Sequence, residues 1–430
     1  MIAWLVAAQI LAAPITLEEV RAASRENLAA LQAELDVARA DDAVRTSRSV
    51  IFPQLSMTAQ AGTALSGAQR GYIADPVTGE FRDVRPSDRG NFQLGLTISQ
   101  LIYDGGRWWN QISQSGAAAG AARGQLDEQR LASVFEAERR FFELLRSQQA
   151  LEVLRASVDR SKQQLERARS LFEAGRGQKR DSLDAEVNLG NDEILVIRSQ
   201  QAIVSSQVDL LSWLSRPTAE IEAVIPAALK ADPVKGPLAE AALAIAREHR
   251  PLLKALANQQ RASQLSLEVA HAAYLPRVSA SAGYSRSSIN ADPFFTDPTR
   301  QNGVSFALSM QWDIFSGFAT QAQVSRASTD LRATQLQQSQ AERELAAEIR
   351  RTSSALDAQL KIATLAEKNR VVAELALRLA EERFNAGAGS TLEVRDAQIK
   401  LTQTQLTQVQ GRIDVEIARA SLGRIVGAPL

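Results

Sequence analysis

The sequence contains no cysteine and only two histidines, His249 and His271, in 430 residues. Disulfide, thiol and iron–sulfur chemistry lack their side chains, and a zinc site lacks most of its usual ligands. No lipid linked to an N-terminal Cys is expected either. Both histidines fall on expected helices with no second ligand nearby, so they read as structural or solvated. Aromatic residues make up 5 % of the chain, and its 23 glycines and 13 prolines are clustered. Ala, Gln, Leu, Arg, Glu and Ser dominate instead, a composition that suits long helices with a modest apolar face. Charge of one sign is also missing: 49 basic and 49 acidic side chains cancel. With no basic patch interleaved by aromatics, nothing points to nucleic acid. No nucleophile–base constellation, phosphate loop or metal cluster is present, so neither an enzyme nor a cofactor is expected.

Long apolar runs are absent too. The longest, Ile2–Ala13, is too short to cross a bilayer as a helix and matches the apolar core and small-residue end of a secretory signal over residues 1–13. No other segment qualifies as a transmembrane helix.

What the chain does contain is an internal repeat. FEAGRGQKRDSLDA (Phe172–Ala185) returns as FNAGAGSTLEVRDA (Phe384–Ala397), 212 residues later, with six of the fourteen positions identical. YDGG at Tyr103–Gly106 and FSGF at Phe315–Phe318 keep the same spacing. IFPQLSMTAQAG (Ile51–Gly62) resembles YLPRVSASAGYS (Tyr274–Ser285) at a spacing of 223, which places 11 extra residues between Pro53 and Tyr103. Two structural repeats follow, 14–216 and 238–430, joined by the proline-rich linker 217–237.

Each repeat has one order of segments. An amphipathic helix is expected over Leu17–Ser49 and Leu238–Ala273, each followed by a proline. Two alternating segments come next, 54–65 and 91–103 in the first repeat, 277–289 and 303–315 in the second. Val304, Phe306, Leu308, Met310, Trp312 and Ile314 alternate with Ser305, Ala307, Ser309, Gln311 and Asp313. A period of two puts one set on one face of a strand, and this length and pattern match outer-membrane barrels. The Asp-, Pro- and Gly-rich stretches between them read as exposed loops. Proline-free stretches Arg107–Ala174 and Phe318–Ala386 predict helices of about 100 Å each. Seven-residue rows run through Ala137, Leu144, Leu151, Val158, Leu165 and Phe172, and through Ile349, Leu356, Ala363, Leu377 and Phe384, the second interrupted by Arg370. On the returning helices, Val187, Ile194 and, after Gln201 in register, Val208, and Leu392, Ile399, Leu406, Ile413 and Ala420, form further rows. All are expected to be coiled-coil-like core.

Four barrel strands cannot close alone, and an open sheet in lipid leaves backbone groups unpaired. Two copies give about eight strands, which side chains fill; three give about twelve, which leave room for a lumen. The fold class is therefore α+β, mainly α: long antiparallel helices plus four strands lent to a shared barrel.

In order and in both halves, these marks resemble the TolC family of outer-membrane efflux and secretion channels. They are the repeat, the YDGG and FSGF strand exits, the F-x-A-G turns with an acidic residue six positions after the glycine, and the closing ASLGRIVG (Ala420–Gly427). The resemblance implies a homotrimer with a twelve-stranded outer-membrane barrel and an α-helical tunnel across the periplasm. It implies an equatorial belt that includes the linker, and partners in a periplasmic adaptor, an inner-membrane pump and outer-membrane lipid. It makes the turns 174–177 and 386–389 the periplasmic tips. There Gly175, Gly177, Gln178, Gly387, Gly389 and Ser390 would shape the turn and meet the adaptor. Glu393 and Asp396 would line the pore constriction, and three copies would set six carboxylates around it, concentrating cations. Asp181, Asp184, Arg180 and Arg395 would form the links that hold the entrance closed. The chain departs from the family pattern at Gly389, where a basic residue is expected, and at Phe384, where tyrosine is expected. Arg176, Lys179, Arg180 and Arg395 are the basic candidates to compensate, Arg395 lying between the two ring acids.

Trp108 and Trp109, just past a strand exit, suit either the periplasmic rim of the membrane or helix packing. The expected function is the exit duct of a tripartite efflux system, with a type I protein secretion duct as the alternative. A coiled-coil scaffold would share the heptads but not the four alternating segments.

Overall fold

The computed structural model describes residues 13–66, 69–74, 77, 81–84, 87–217, 219–226, 229, 239–289, 291–296 and 302–428. The apolar stretch expected to be a signal lies outside the described residues up to Ala12, as does most of the linker's second half. Two compact units emerge. One is built from Met1–Val37, Ala121–Ala257 and Gln337–Leu430, the other from Ala38–Gly120 and Asn258–Leu336.

The second unit contains a four-stranded antiparallel sheet of β2 (Gln54–Ser66), β5 (Ser87–Tyr103), β7 (Arg277–Ser288) and β8 (Asn302–Gln311), in the order β2-β5-β7-β8. Its register sorts side chains cleanly by face. Met57, Leu96, Tyr284 and Val304 lie in one cross-strand row, and Leu55, Ile98, Ala282 and Phe306 in the next. On the opposite face the corresponding row is Ser56, Thr97, Gly283 and Ser305. One face is thus apolar and the other small and polar, because cross-strand partners share a side of the pleat.

Three expectations for this sheet need correction. The strand expected over 303–315 stops at Gln311, whose partner is Arg277. The next pairing would need Pro276, which has no N–H to give. The strand expected to begin at Asn91 begins at Ser87, because β2 continues to Ser66 and pairs with it residue for residue. Backbone pairing outruns the apolar pattern there. Finally, the stretches read as loops carry structure: a hairpin of β3 (Gln69–Ala74) and β4 (Phe81–Val84) in the first, and the short helix α7 (Ala291–Thr296) in the second.

The first unit holds most of the helices. The single helix expected over Leu17–Ser49 is two, α1 (Leu17–Ser24) and α2 (Leu28–Ser49). Thr16 starts α1 with a reciprocal capping box to Glu19. Asn27 interrupts the run because its side-chain oxygen accepts from the Ala30 N–H at 2.9 Å and from the Ser133 hydroxyl at 3.1 Å. The helix expected over Leu238–Ala273 likewise divides, into α5 (Ala239–His249) and α6 (Pro251–His271), since Pro251 begins a helix readily but cannot donate inside one. In the linker, β6 (Ile221–Ala223) pairs in parallel with β1 (Ala13–Ile15). Ile15, Ile221 and Ala223 join Phe141, Phe142, Leu144, Leu145 and Leu210 in a buried cluster.

The long helices are α3 (Arg107–Glu173) and α8 (Ala319–Asn385), each of 67 residues; the returning ones are α4 (Lys179–Trp213) and α9 (Thr391–Val426). Ala137, Leu144, Leu151, Val158 and Leu165 are buried, as are Ile349, Leu356, Ala363 and Leu377. The rows expected on the returning helices are not core along α4 or at the tip end of α9. Leu392 is 76 % exposed and Ile399 49 %, and Val187, Ile194 and Val208 are also exposed. The buried side of α9 there is Val394, Ala397 and Leu401, packed on Ala373 and Leu377. On α4 the apolar row stays uncovered, whereas on α9 the row is buried again by Ile413.

Candidate pore tip and interhelical clasp

Both tips are closed by the same backbone device. The Gly175 N–H bonds to Phe172 O at 2.9 Å and the Arg176 N–H to Leu171 O at 2.8 Å. In the other half, Gly387 bonds to Phe384 O at 3.0 Å and Ala388 to Arg383 O at 2.9 Å. This is the Schellman pattern, which needs a left-handed residue, and φ is +69° at Gly175 and +73° at Gly387. The sequence treats all four tip glycines alike, but Gly177 and Gly389 serve differently. A Cβ on Gly389 would lie 3.1 Å from the Phe384 nitrogen, and one on Gly177 3.1 Å from the Leu171 Cβ. These two glycines permit close approach of the chain to the helix it has just left.

The returning helices begin unequally. Ser390 caps α9 by accepting the Glu393 N–H at 3.2 Å, while Gln178 precedes α4 without a side-chain cap bond. Asp181 and Glu393 occupy the first turns, where a carboxylate opposes the helix dipole. Glu393 has a basic neighbour that sequence reasoning missed. Arg383, in the last turn of α8, places Nη1 3.7 Å from its carboxylate and donates from Nη2 to Ala388 O at 3.3 Å. It approaches the acid from the preceding helix, whereas the family pattern expects a base at position 389. Asp396 meets Lys400 one turn on at 2.5 Å, and Asp184 meets Arg180 at 3.5 Å. All these side chains are largely exposed.

Arg395 departs furthest from expectation. Within the chain it pairs with none of Asp181, Asp184, Glu393 and Asp396. It turns into the protein and clasps Asp192 of α4 through Nη1 at 3.0 Å and Nη2 at 3.1 Å, with the Ser161 hydroxyl of α3 3.1 Å from Nη1. Ser161 also donates to Asp192. Next to them, the hydroxyls of Ser157 and Thr402 are 3.1 Å apart, and Arg160 reaches Thr402 at 3.1 Å. The Asp192 and Arg395 side chains are 8 % and 15 % exposed. Burial pushes the Asp192 carboxyl up, but the hydrogen bonds from Arg395 and Ser161 and the Arg395 charge together hold it below its ordinary value. The clasp joins three helices, two from the first half and one from the second. A sequence signal for it exists: Asp192 stands seven residues from the buried Ala185 and Ser199, a charge at a core-facing position.

Higher on α9, Asp414 is bound by Arg146 of α3. Glu367 of α8 takes Gln408 at 2.5 Å, Arg412 at 3.4 Å and Arg370 at 2.9 Å. The hydrogen bond from Arg370 is the main reason the Glu367 carboxyl lies below its ordinary range. Of the two tryptophans at the strand exit, Trp109 projects from the surface and stacks edge-to-face on Trp108. The His249 ring lies 3.2 Å from Ile245 O.

Residues 20–215 and 242–428 match the family model described as outer membrane efflux protein. The outer membrane protein TolC of Vibrio cholerae is 22 % identical over 390 residues, covering 90 % of this chain and 84 % of that protein. The fold superposes on a crystal structure of CusC with a TM-score of 0.82, at 17 % identity over 96 % of this chain and 92 % of that one. VceC of Vibrio cholerae gives 0.78, at 16 % identity over 96 % of both chains. With a match in both halves, this chain belongs to the outer membrane efflux protein family, whose members are channels of the outer membrane and not enzymes.

Proposed function

We propose that three copies of this chain assemble into the exit duct of a tripartite efflux system. The observation that carries the proposal is the four-stranded sheet with one apolar exposed face and two open edges. Edge strands β2 and β8 each have a single partner among the described residues. The strands alternate in direction along the sheet, so β8 of one copy meets β2 of the next in antiparallel sense, and three copies give twelve strands. An exposed stripe on α4 supports the same assembly. Leu183, Val187, Ile194, Ile197, Val204 and Val208 are exposed at alternating coiled-coil spacings, interrupted by Gly190 and Gln201. On α8, Leu365, Val372, Leu375 and Leu379 form a second such stripe. A neighbouring copy is the economical cover for both.

In this reading the helices form the periplasmic tunnel, and the tips narrow it. Glu393 and Asp396 face the lumen as rings of carboxylates. Arg383 takes the place of the missing base at position 389, and the Asp192–Arg395 clasp holds α9 against the first half when the entrance is closed. Gln178 and Ser390, at the tips, face the periplasmic adaptor, through which the inner-membrane pump delivers its cargo. Native mass spectrometry in detergent and planar-bilayer recordings test the proposal together. A trimer is expected, and Asp396→Ala should lower conductance and cation selectivity. A monomer, or a variant with unaltered selectivity, overturns the corresponding part.

A further inference from the structure

A cavity of about 1050 Å³ opens in the first unit, at the end of α9 opposite the tip. Residues of α1, α3, the linker, the first turn of α6 and the last turns of α9 wall it. Small-molecule sites usually hold roughly 300–1,000 Å³, so this one is large enough for a drug-sized ligand. An exit duct has no need of it.

Part of the wall is apolar. Leu131 and Phe135 of α3 line it with Pro226 and Leu229 of the linker. Phe142, which belongs to the buried cluster of the first unit, lines it too. Burial pushes the Glu416 carboxyl, on the same wall, above its ordinary value even though Arg419 lies 2.8 Å away. A charge brought to this wall is therefore weakly screened.

The rest of the wall favours an anion. Three of its acids are already held: Glu138 by Arg21, Asp127 by Arg130 and Glu416 by Arg419. Arg25 and Lys254, both exposed, form no ion pair among the described residues, and Glu26 is the single lining acid in that position. Arg424 is half-buried, with its guanidinium 5.6 Å from the centre of the Phe135 ring and Nη2 donating to Glu348 at 3.1 Å. Its Nη1 has no partner among the described residues. Ring and carboxylate thus fix the fork with one nitrogen to spare. Pro251 and Lys254 both line the cavity, so the positive end of the α6 dipole borders it as well.

We infer that this cavity binds an amphipathic organic anion. Its carboxylate or sulfonate meets Arg424 and Lys254, and its apolar body rests on Phe135, Phe142 and Leu229. A bare inorganic anion would leave the apolar wall wet, and a neutral hydrocarbon would leave the cations unanswered. A cation would meet Arg25, Lys254 and Arg424 with no acid to spare except Glu26. Such a ligand touches α3, α6, α9 and the linker together, so its binding braces them. The site stands apart from the tips and does not depend on how they gate.

The cysteine-free chain allows a single thiol to report occupancy. Ala420→Cys, on the cavity wall, and Gln178→Cys, exposed at a tip, would be alkylated by a maleimide in full-length protein in lipid nanodiscs. Leu229→Cys repeats the measurement from the linker side. The probe is anilinonaphthalene sulfonate, and its comparison is phenylnaphthylamine, the same rings without the sulfonate. At saturation the sulfonate should slow alkylation at 420 and 229 by about tenfold, as occupancy well above the dissociation constant requires. The rate at 178 should not change. Lys254→Gln, at an exposed and unpaired position, should raise the half-protecting concentration severalfold, and phenylnaphthylamine should protect weakly. Unaltered rates at 420 and 229 overturn the proposal. Equal slowing at 178 does so too, because it marks partition into lipid. Equal protection by phenylnaphthylamine, or an unchanged half-protecting concentration in Lys254→Gln, removes the anion and with it the proposed class of ligand. Thiols at 420 and 229 that fail to react without any probe also overturn it, since another part of the assembly then fills the cavity.

Discussion

Arg395 donates to both carboxylate oxygens of Asp192, at 3.0 and 3.1 Å, although the two residues are 203 positions apart in the chain. The pair is buried and bidentate, so removing one partner strands the other charge away from water. Asp192→Ala should destabilise the fold by about 3–5 kcal/mol, seen as a lower midpoint of helix loss on heating. Asp192→Asn should cost less, because an amide still hydrogen-bonds Ser161. The pH dependence has a definite sign. The carboxyl's folded value lies below its ordinary 3.8, so the folded state releases its proton more readily than the unfolded one. The stabilisation is complete above the ordinary value and is lost as pH falls through the depressed one. The difference between the parent and Asp192→Asn should therefore be constant near neutrality and shrink only in strong acid. A difference that shrinks near neutral pH would place the effect on another group.

Lys400 lies 2.5 Å from Asp396 and Arg383 3.7 Å from Glu393. Each base cancels part of the negative potential that the acids would project into a lumen. Lys400→Ala should raise the ratio of cation to anion permeability and Asp396→Asn should lower it. The double variant should fall near the parent. Reversal potentials across a potassium chloride gradient measure all three, and values that do not move in either single variant would put the constriction elsewhere.

The strands and long helices were legible because their signals are local. Val304 to Met310 alternate without interruption, and no proline breaks Arg107 to Glu173. The clasp was harder to read. Arg395 sits between Glu393 and Asp396 in sequence, which suggests a shared ring. Successive helix residues, however, point about 100° apart, so Arg395 lies nearly opposite Glu393 and about a quarter-turn from Asp396. Its partner lies in the other half of the chain, where no spacing rule reaches. The rows through Ile194 and Leu392 look like core for a related reason. Periodicity identifies an apolar face but not whether the same chain or another copy covers it.

That ambiguity is open to experiment through Ile197. It is 64 % exposed on the α4 stripe, so a charge there costs the isolated chain little. Within an assembly the same charge would be buried against a neighbour at a cost of several kcal/mol per copy. Ile197→Asp should therefore leave helix content unchanged while shifting the proposed trimer to monomers in analytical ultracentrifugation. Arg198→Ala, one position off the stripe, should leave the trimer intact. Loss of helix content in Ile197→Asp, or retention of its trimer, would count against the stripe as an interface.

The two glycines of the second tip separate two physical demands. Gly387 needs a positive φ, yet a Cβ there would meet nothing within 4 Å, whereas Gly389 has an ordinary φ and backbone 3.1 Å from where its Cβ would stand. Alanine at 387 should cost about 1–2 kcal/mol for the left-handed conformation, and asparagine, which tolerates that region, should recover part of it. At 389 the obstacle is the Phe384 nitrogen and the Arg383 backbone, which belong to the closed turn itself. Alanine and asparagine should be equally disruptive there, because either Cβ pushes the chain off the helix end. Opening the turn would release Ala388 from Arg383 O and expose the bond after Arg383 to trypsin. Cleavage at that site should thus be slow in Gly387→Asn and fast in both Gly389→Ala and Gly389→Asn. Equal cleavage of Gly387→Asn and Gly389→Asn would mean that conformational freedom, and not close approach, is what both positions require.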